Sequence, residues 1–243
     1  MNESITAIPY SNLLLVFIPA AVVIGLLHTW SLEWKNTIYA VIRMLVQLLL
    51  IGYFLVYIFE SNDAAFTVGV LSVMVFAASW IALRTIQQKR RKFYQFALMA
   101  ILTGGGLTLF LVTQFVLKLN PWFMPRYMIP LAGMIFASSM NGVSLAAERL
   151  QAEMDRNVEY IQARSIALRA ALIPITNSLF AVGLVSLPGM MTGQILSGVS
   201  PLIAVRYQIM VMCMIFSAVG LSSALFLIMI KSQLSELTGK TLK

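Results

Sequence analysis

The chain has 243 residues, 60% of them hydrophobic and only 11% charged, with a formal net charge of +8 at neutral pH and a mean hydropathy of +0.87. A soluble domain carries about 25% charged residues, so this composition excludes one and places residues 1–243 in a bilayer as a single transmembrane domain. One cysteine, Cys213, excludes an intrachain disulfide and any multi-cysteine metal site.

The amino-terminal stretch MNESITAIPYSN holds no Lys or Arg to serve as the charged start of a secretory signal, so the first apolar run is expected to remain as a helix. Apolar runs of spanning length follow at Tyr10–Leu27, Asn36–Phe59, Ala64–Leu83, Phe93–Leu117, Tyr127–Ala147, Ala170–Leu187 and Ala204–Ile230. The expected fold is an all-α polytopic membrane protein with about seven transmembrane helices and a Pro/Gly-broken segment in the C-terminal third. Of the 17 basic residues, only Lys118, Arg126 and Arg206 fall outside if the N-terminus is outside and the C-terminus cytoplasmic, which is the orientation the positive-inside rule selects. Trp30, Trp34, Trp80 and Trp122 fall at span ends, where amphipathic rings prefer the headgroup layer.

The basic run RTIQQKRRK, residues 84–92, has no aromatic platform or nucleic-acid motif beside it, so it reads as an anchor to the anionic leaflet and not as a nucleic-acid patch. Gly104, Gly105 and Gly106 lack the Lys-Ser/Thr of a phosphate loop and lie in a span, so close helix packing is their expected role. No Asp or Glu lies well within a span, which disfavours coupling to an ion gradient through buried carboxylates. The one histidine, His28, sits at a span end beside Trp30, and no paired Ser or Glu makes it a catalytic or zinc group. The chain is therefore expected to catalyse no reaction and to hold no cofactor and no metal of its own.

The buried polar groups are amides and hydroxyls: Gln47, Gln114, Ser138, Ser139, Asn141, Thr176, Asn177, Gln194 and Gln208. Interhelical hydrogen bonding accounts for most of them, Gln47 included, whereas Asn141 and Asn177, flanking the long loop between the fifth and sixth spans, read equally as lining a cavity. Fifteen methionines, among them Met190-Met191 and Met212-Met214, are chiefly fillers of irregular apolar gaps, with thioether ligation of a soft ion as the other reading. Between those spans, ERLQAEMDRNVEYIQARSIALR (Glu148–Arg169) repeats Leu150, Met154, Val158, Ile161 and Leu168 at helical spacing, with Glu153, Arg156 and other charges on the remaining faces. It is expected to form one amphipathic cytoplasmic helix.

From Arg169 to Pro201 the chain reads RAALIPITNSLFAVGLVSLPGMMTGQILSGVSP, placing Pro174 and Asn177 inside an apolar run and Pro188, Gly189 and Gly193 at its end. Breaks in a span are tolerated where protein or a water-filled cavity satisfies the freed backbone groups. The translocation-path candidates are therefore Asn141, Asn177, Pro188, Gly189, Met190, Met191, Gly193 and Gln194. The plainer alternative is a kink against a neighbouring helix, with Gly189 and Gly193 as a GxxxG contact face.

RAALIP, VGLVSLPGMMTGQIL and SPLIAVRYQIMV closely resemble the membrane subunit of the FetB-like family of ABC transporters, whose bacterial members are associated with metal export and whose plant relatives are associated with aluminium tolerance. The resemblance implies a permease that pairs with itself and with a separate ATP-binding subunit, and a cargo that is a metal ion, iron in particular. An amide-lined cavity would also suit a metal chelate or a sugar nucleotide. It implies too that the 148–169 loop couples to the ATPase through Leu150, Glu153, Met154, Arg156, Val158 and Ile161. The chain departs from the family pattern in that loop: a Leu-Gly-Ala-x-Pro segment expected before RAALIP is absent, and the loop is several helical turns shorter. The other class of function open to these residues is a partner-free channel or facilitator.

Overall fold

The structure, a computed structural model, describes residues 8–60 and 63–238, and among them the only regular structure is helical. The helices form two compact units, residues 1–61 and 62–243.

In the first unit, α1 (Tyr10–Leu15) and α2 (Phe17–Thr29) form a nearly continuous run that turns at residues 30–33 into α3 (Trp34–Glu60). The turn is closed by Ser31 in the left-handed region, φ +57°, and by the Leu32 amide donating to the Leu27 carbonyl at 2.9 Å. The His28 ring meets Trp34 edge-on at 5.2 Å. Residues of α2 are apolar on every side and none is buried, and on α3 Tyr53 and Tyr57 stand 78% and 73% exposed. A helix apolar all round is stable only where lipid or protein covers it, which is what Ser11–Thr29 and Trp34–Glu60 require as candidate spans.

In the second unit, Asp63 caps α4 (Ala64–Ala82) by accepting from the Ala65 amide at 2.8 Å. A 3-10 stretch, Arg84–Lys89, interrupted at Ile86, leads into a long helix composed of α5 (Arg90–Ala100), a π turn at Ile101–Gly105, α6 (Gly106–Leu111) and a second π turn at Val112–Val116. Then come α7 (Pro125–Asp155), α8 (Tyr160–Ala181), the short α9 (Gly189–Leu196) and α10 (Pro201–Thr238). Pro125 opens α7, where a missing N–H removes no hydrogen bond.

Small residues bring α7, α10 and the first π turn together. A Cβ on Gly142 would lie 2.7 Å from Ser223 Oγ and 2.8 Å from Val219 Cγ1. The Ser222 hydroxyl donates to Ser139 Oγ at 3.2 Å, and Ser139 donates to the Ala218 carbonyl at 3.3 Å, with all these side chains buried. The packing role expected of the glycine run is seen at Gly104 and Gly105, while Gly106 faces open space.

Among the described residues six helices are long and apolar enough to cross a membrane. The expected span Ala170–Leu187 is not among them; it overlaps α8, whose 22 residues measure about 33 Å but include Arg164 and Arg169. It packs between α7 and α10, antiparallel to α10: the Tyr160 hydroxyl donates to the Leu227 carbonyl at one end, and Leu172 lies against Gly220 further along. The boundaries differ from the expected Ala170–Leu187. The helix starts ten residues earlier and stops at Ala181, because Gly183 at φ +84° turns the chain back and Val182 and Ser186 pair.

That shift also corrects the loop. The single amphipathic helix expected over Glu148–Arg169 is not formed: α7 continues to Asp155, a turn over 156–159 with Asn157 at φ +61° reverses the chain, and α8 starts at Tyr160. The apolar spacing is real but is used inside the bundle. Leu150, Tyr160, Ala163 and Ala167 are buried, and Met154, Val158 and Leu168 pack against the same core.

Candidate functional site

Midway along the second unit, α7, α8 and α10 form an open cavity of about 310 Å³ lined by Ser138, Asn141, Leu145, Pro174, Ser178 and Met212 among others. Its polar groups are the side chains of Ser138, Asn141 and Ser178. Pro174 lies inside α8 and has no N–H to donate to the Ala170 carbonyl one turn back. One turn on, the Ser178 hydroxyl donates to the Pro174 carbonyl at 3.0 Å. The Asn141 amide and the Ser138 hydroxyl face these groups from α7, so the wall offers uncharged donors and acceptors over an apolar floor that includes Ile175, Ile215 and Val219.

Of the path candidates, Asn141 lines this cavity. Asn177, beside Ser178, does not; it stands exposed on α8. The remaining candidates lie on another element. Pro188 precedes α9, which packs on α10, and Met190 is half-buried against the core. Met191 and Gln194 are half-buried too. A Cβ at Gly189 or Gly193 would meet nothing within 4 Å, so the GxxxG contact face is not used among the described residues of the chain. Gln194 on α9 and Gln208 on α10 each keep a buried side-chain carbonyl oxygen with no hydrogen-bond partner. Ser178 and Gly142 were missed at the sequence level. Ser178 had a readable signal, since it follows Pro174 by one helical turn, whereas Gly142 depends on what α10 presents to it.

The Met212 side chain is the one thioether on the cavity wall, and among the described residues no group of three or more His, Cys, Asp or Glu could hold a metal ion. The residues assigned to coupling lie at one end of the second unit, and there the structure separates them. Leu150 and Glu153 are buried, with Glu153 paired to Arg149 at 2.6 Å and more loosely to Arg156 at 3.8 Å. Met154 and Val158 are half-buried, and only Arg156 and Ile161 stand exposed. The 84–89 connector packs at this same end, where Ile86 and Phe93 meet Leu150, Met154 and Ile230. Arg90 stacks on Trp80 at 3.7 Å while its Nε and Nη2 both donate to the Trp80 carbonyl.

A family model described as "Uncharacterised protein family (UPF0014)" matches residues 10–166 and 161–234. The chain is 35% identical over 241 residues to "Probable iron export permease protein FetB" of Escherichia coli strain K12, covering 91% of this chain and 87% of that protein. It is 33% identical over 214 residues to a UPF0014 membrane protein of Synechocystis sp., covering 82% and 81%, and 35% identical over 224 residues to "Protein ALUMINUM SENSITIVE 3" of Arabidopsis thaliana, covering 86% and 80%. No solved structure matches. The E. coli alignment runs over 241 positions yet draws on 91% of 243 residues, about 221, so about twenty positions have no residue in this chain. The two stretches of the family match meet at 161–166, immediately after the tight turn between α7 and α8. The chain belongs to the UPF0014 family of membrane proteins, the FetB-like family that its RAALIP and LPGMMTGQIL segments resemble.

Proposed function

We propose that this chain is the membrane-spanning permease subunit of a transporter that exports iron or a related small solute, working as a homodimer with a separate ATP-binding subunit. The observation that carries the reading is the cavity at Pro174, where a proline inside a helix, two hydroxyls and an amide converge among helices otherwise packed through small apolar residues. Such a site is the expected form of a solute path at bilayer depth. The name carried by the E. coli relative supports export of iron. In this reading the end of the second unit bearing Arg84, Arg149, Arg156 and Lys231 faces the cytoplasm, in line with the excess of basic residues there. Solute crosses by alternating access between two copies, and ATP hydrolysis resides in the partner.

The test is efflux of radioactive iron from cells expressing the chain with a candidate ATP-binding subunit. Asn141→Leu with Ser178→Leu, which fills and dries the cavity, is expected to abolish efflux while leaving insertion normal. Unchanged efflux would overturn the site.

One observation favours a second reading, a facilitator that needs no ATPase: the α7–α8 connection is a four-residue turn whose apolar stripe points inward, which leaves no helix to enter a partner groove. Efflux that persists in a cell lacking every candidate ATPase would select it.

A further inference from the structure

Along α10, Gln208, Met212, Ile215, Val219 and Ser223 share one face, since at about 100° per residue they fall within an arc of about 80°. Met212, Ile215 and Val219 line the cavity. Gln208 and Ser223 bracket them, 5% and 0% exposed, and each holds a side-chain oxygen with no hydrogen-bond partner among the described residues. Ser223 Oγ lies where Gly142, on the cavity wall, has no side chain: a Cβ there would stand 2.7 Å from it. Of the other buried oxygens without such a partner, Glu153 Oε1 is held by Arg149 in an ion pair at 2.6 Å, and Gln194 Oε1 belongs to α9, which packs on α10.

Gln208 stands beyond the end of α8. The Tyr160–Leu227 and Leu172–Gly220 contacts set α8 antiparallel to α10, so Ala181, about 13 Å past Leu172, comes about level with Val211. On this face Met212 lies between Gln208 and the rest of the cavity wall, and its unbranched thioether adapts its rotamer readily. A buried amide oxygen left unpaired lowers the stability of a fold, and an apolar side chain of the same length would be better tolerated there. The unpaired amide atoms are also chemically one-sided. Gln208 Oε1 and Gln194 Oε1 accept and cannot donate, and the Met212 sulfur accepts weakly. Their partner must bring hydrogen-bond donors or positive charge.

Resting on the permease reading, we propose that Gln208 is a solute-binding residue where the path continues from the cavity past Met212, and that its amide oxygen there receives a cation, directly or through the cation's water ligands. A neutral oxygen suits transit: it replaces hydration around a cation, yet holds it weakly enough for the cation to leave.

The test uses the full chain in lipid nanodiscs without any ATPase, with anaerobic equilibrium binding of radioactive Fe²⁺ and thermal unfolding as its two readouts. The parent chain should bind Fe²⁺ saturably. Gln208→Met, which keeps the length and removes the oxygen, should weaken that binding about tenfold, the size of one hydrogen bond to a charged group. The same variant should unfold about 2–4 °C higher, because an unpaired buried acceptor is gone. Gln208→Glu should tighten Fe²⁺ binding. Gln114→Met, at a half-buried amide that donates to Thr113 in the second π turn, should leave it unchanged. No saturable Fe²⁺ binding by the parent, or parent-like binding by Gln208→Met, would overturn the proposal. A lower unfolding temperature for Gln208→Met would reveal a structural hydrogen bond at that oxygen and overturn it as well. Weaker Fe²⁺ binding by Gln208→Glu, or tighter binding of iron(III) citrate than of Fe²⁺ by the parent, would remove the cation assignment. None of these results decides the permease reading, which stands or falls on the Asn141→Leu and Ser178→Leu efflux measurement.

Discussion

Gly104 meets Ser222 with no room for a methyl group: a Cβ on Gly104 would stand 2.7 Å from both the amide nitrogen and the Oγ of Ser222. The neighbouring atom on the α10 side is backbone, which cannot rotate away, and Ser222 is itself tied to Ser139 of α7. The approach therefore fixes three elements at once. Gly104→Val is expected to cost about 1–3 kcal/mol or more through overpacking, whereas Gly106→Ala, facing open space, should cost nothing measurable. Thermal unfolding of the two purified variants in detergent checks this, and equal midpoints would show that the close approach is not maintained.

The contrast with Gly189 and Gly193 gives a second expectation. Since a Cβ at either meets nothing within 4 Å, Gly189→Leu and Gly193→Leu should insert and unfold like the parent chain. If efflux is lost in these folded variants, the glycines matter for a contact that the protomer does not contain, such as one with a second copy or the moving solute. A lowered unfolding temperature would instead place a neighbour against α9 within the protomer.

At the α7–α8 turn, Met154 and Val158 pack against the bundle core, so Met154→Asp and Val158→Asp should destabilise the bundle itself by about 2–5 kcal/mol each, as losing a buried apolar group and burying a charge do. Arg156→Glu should be mild: its side chain is 70% exposed and its Nη1 lies 3.8 Å from Glu153, and exposed pairs contribute about 0–1 kcal/mol. Detergent-solubilised monodispersity and melting of the three variants separate these outcomes. A well-folded Met154→Asp protein would show the stripe to be free for a partner.

Orientation is testable by single-cysteine labelling from intact cells in a Cys213→Ser background. Asn120→Cys and Asp63→Cys are expected to react with an impermeant reagent, and Arg156→Cys is expected to stay silent until the membrane is opened. The structure supplies the internal consistency of this set. The Thr67 hydroxyl donates to the Phe123 carbonyl at 3.3 Å, holding the start of α4 beside the 117–124 loop, while Arg156 lies at the end of α7 far from both. Reaction at 156 with silence at 120 would invert the topology.

Composition and hydropathy alone determined that the chain is an all-helical membrane protein, because a run of about twenty apolar residues can satisfy its backbone in lipid only as a helix. The same local signals announced the packing role of Gly104 and Gly105 and membership of the family through LPGMMTGQIL, whereas the helix expected to break at Pro174 runs through it to Ala181. Asn141 was legible as a polar group inside a span. Its companions Ser178 and Gly142 were not equally legible, because lining a cavity depends on which faces of α7, α8 and α10 meet.

The tertiary structure decided the fate of the Glu148–Arg169 stripe. Helical periodicity says that one face is apolar, but not whether that face meets a partner or the protein's own core, and here Leu150, Met154 and Val158 are turned inward. It also decided that α8 starts at Tyr160 and not ten residues later. A hydropathy window rejects Arg164 and Arg169, while packing between α7 and α10 keeps Tyr160, Ala163 and Ala167 in the core and leaves Arg164 half-buried and Arg169 exposed. Local sequence records what each residue prefers to touch, whereas where α8 begins and which of its faces is buried follow from long-range contacts such as Tyr160 with Leu227.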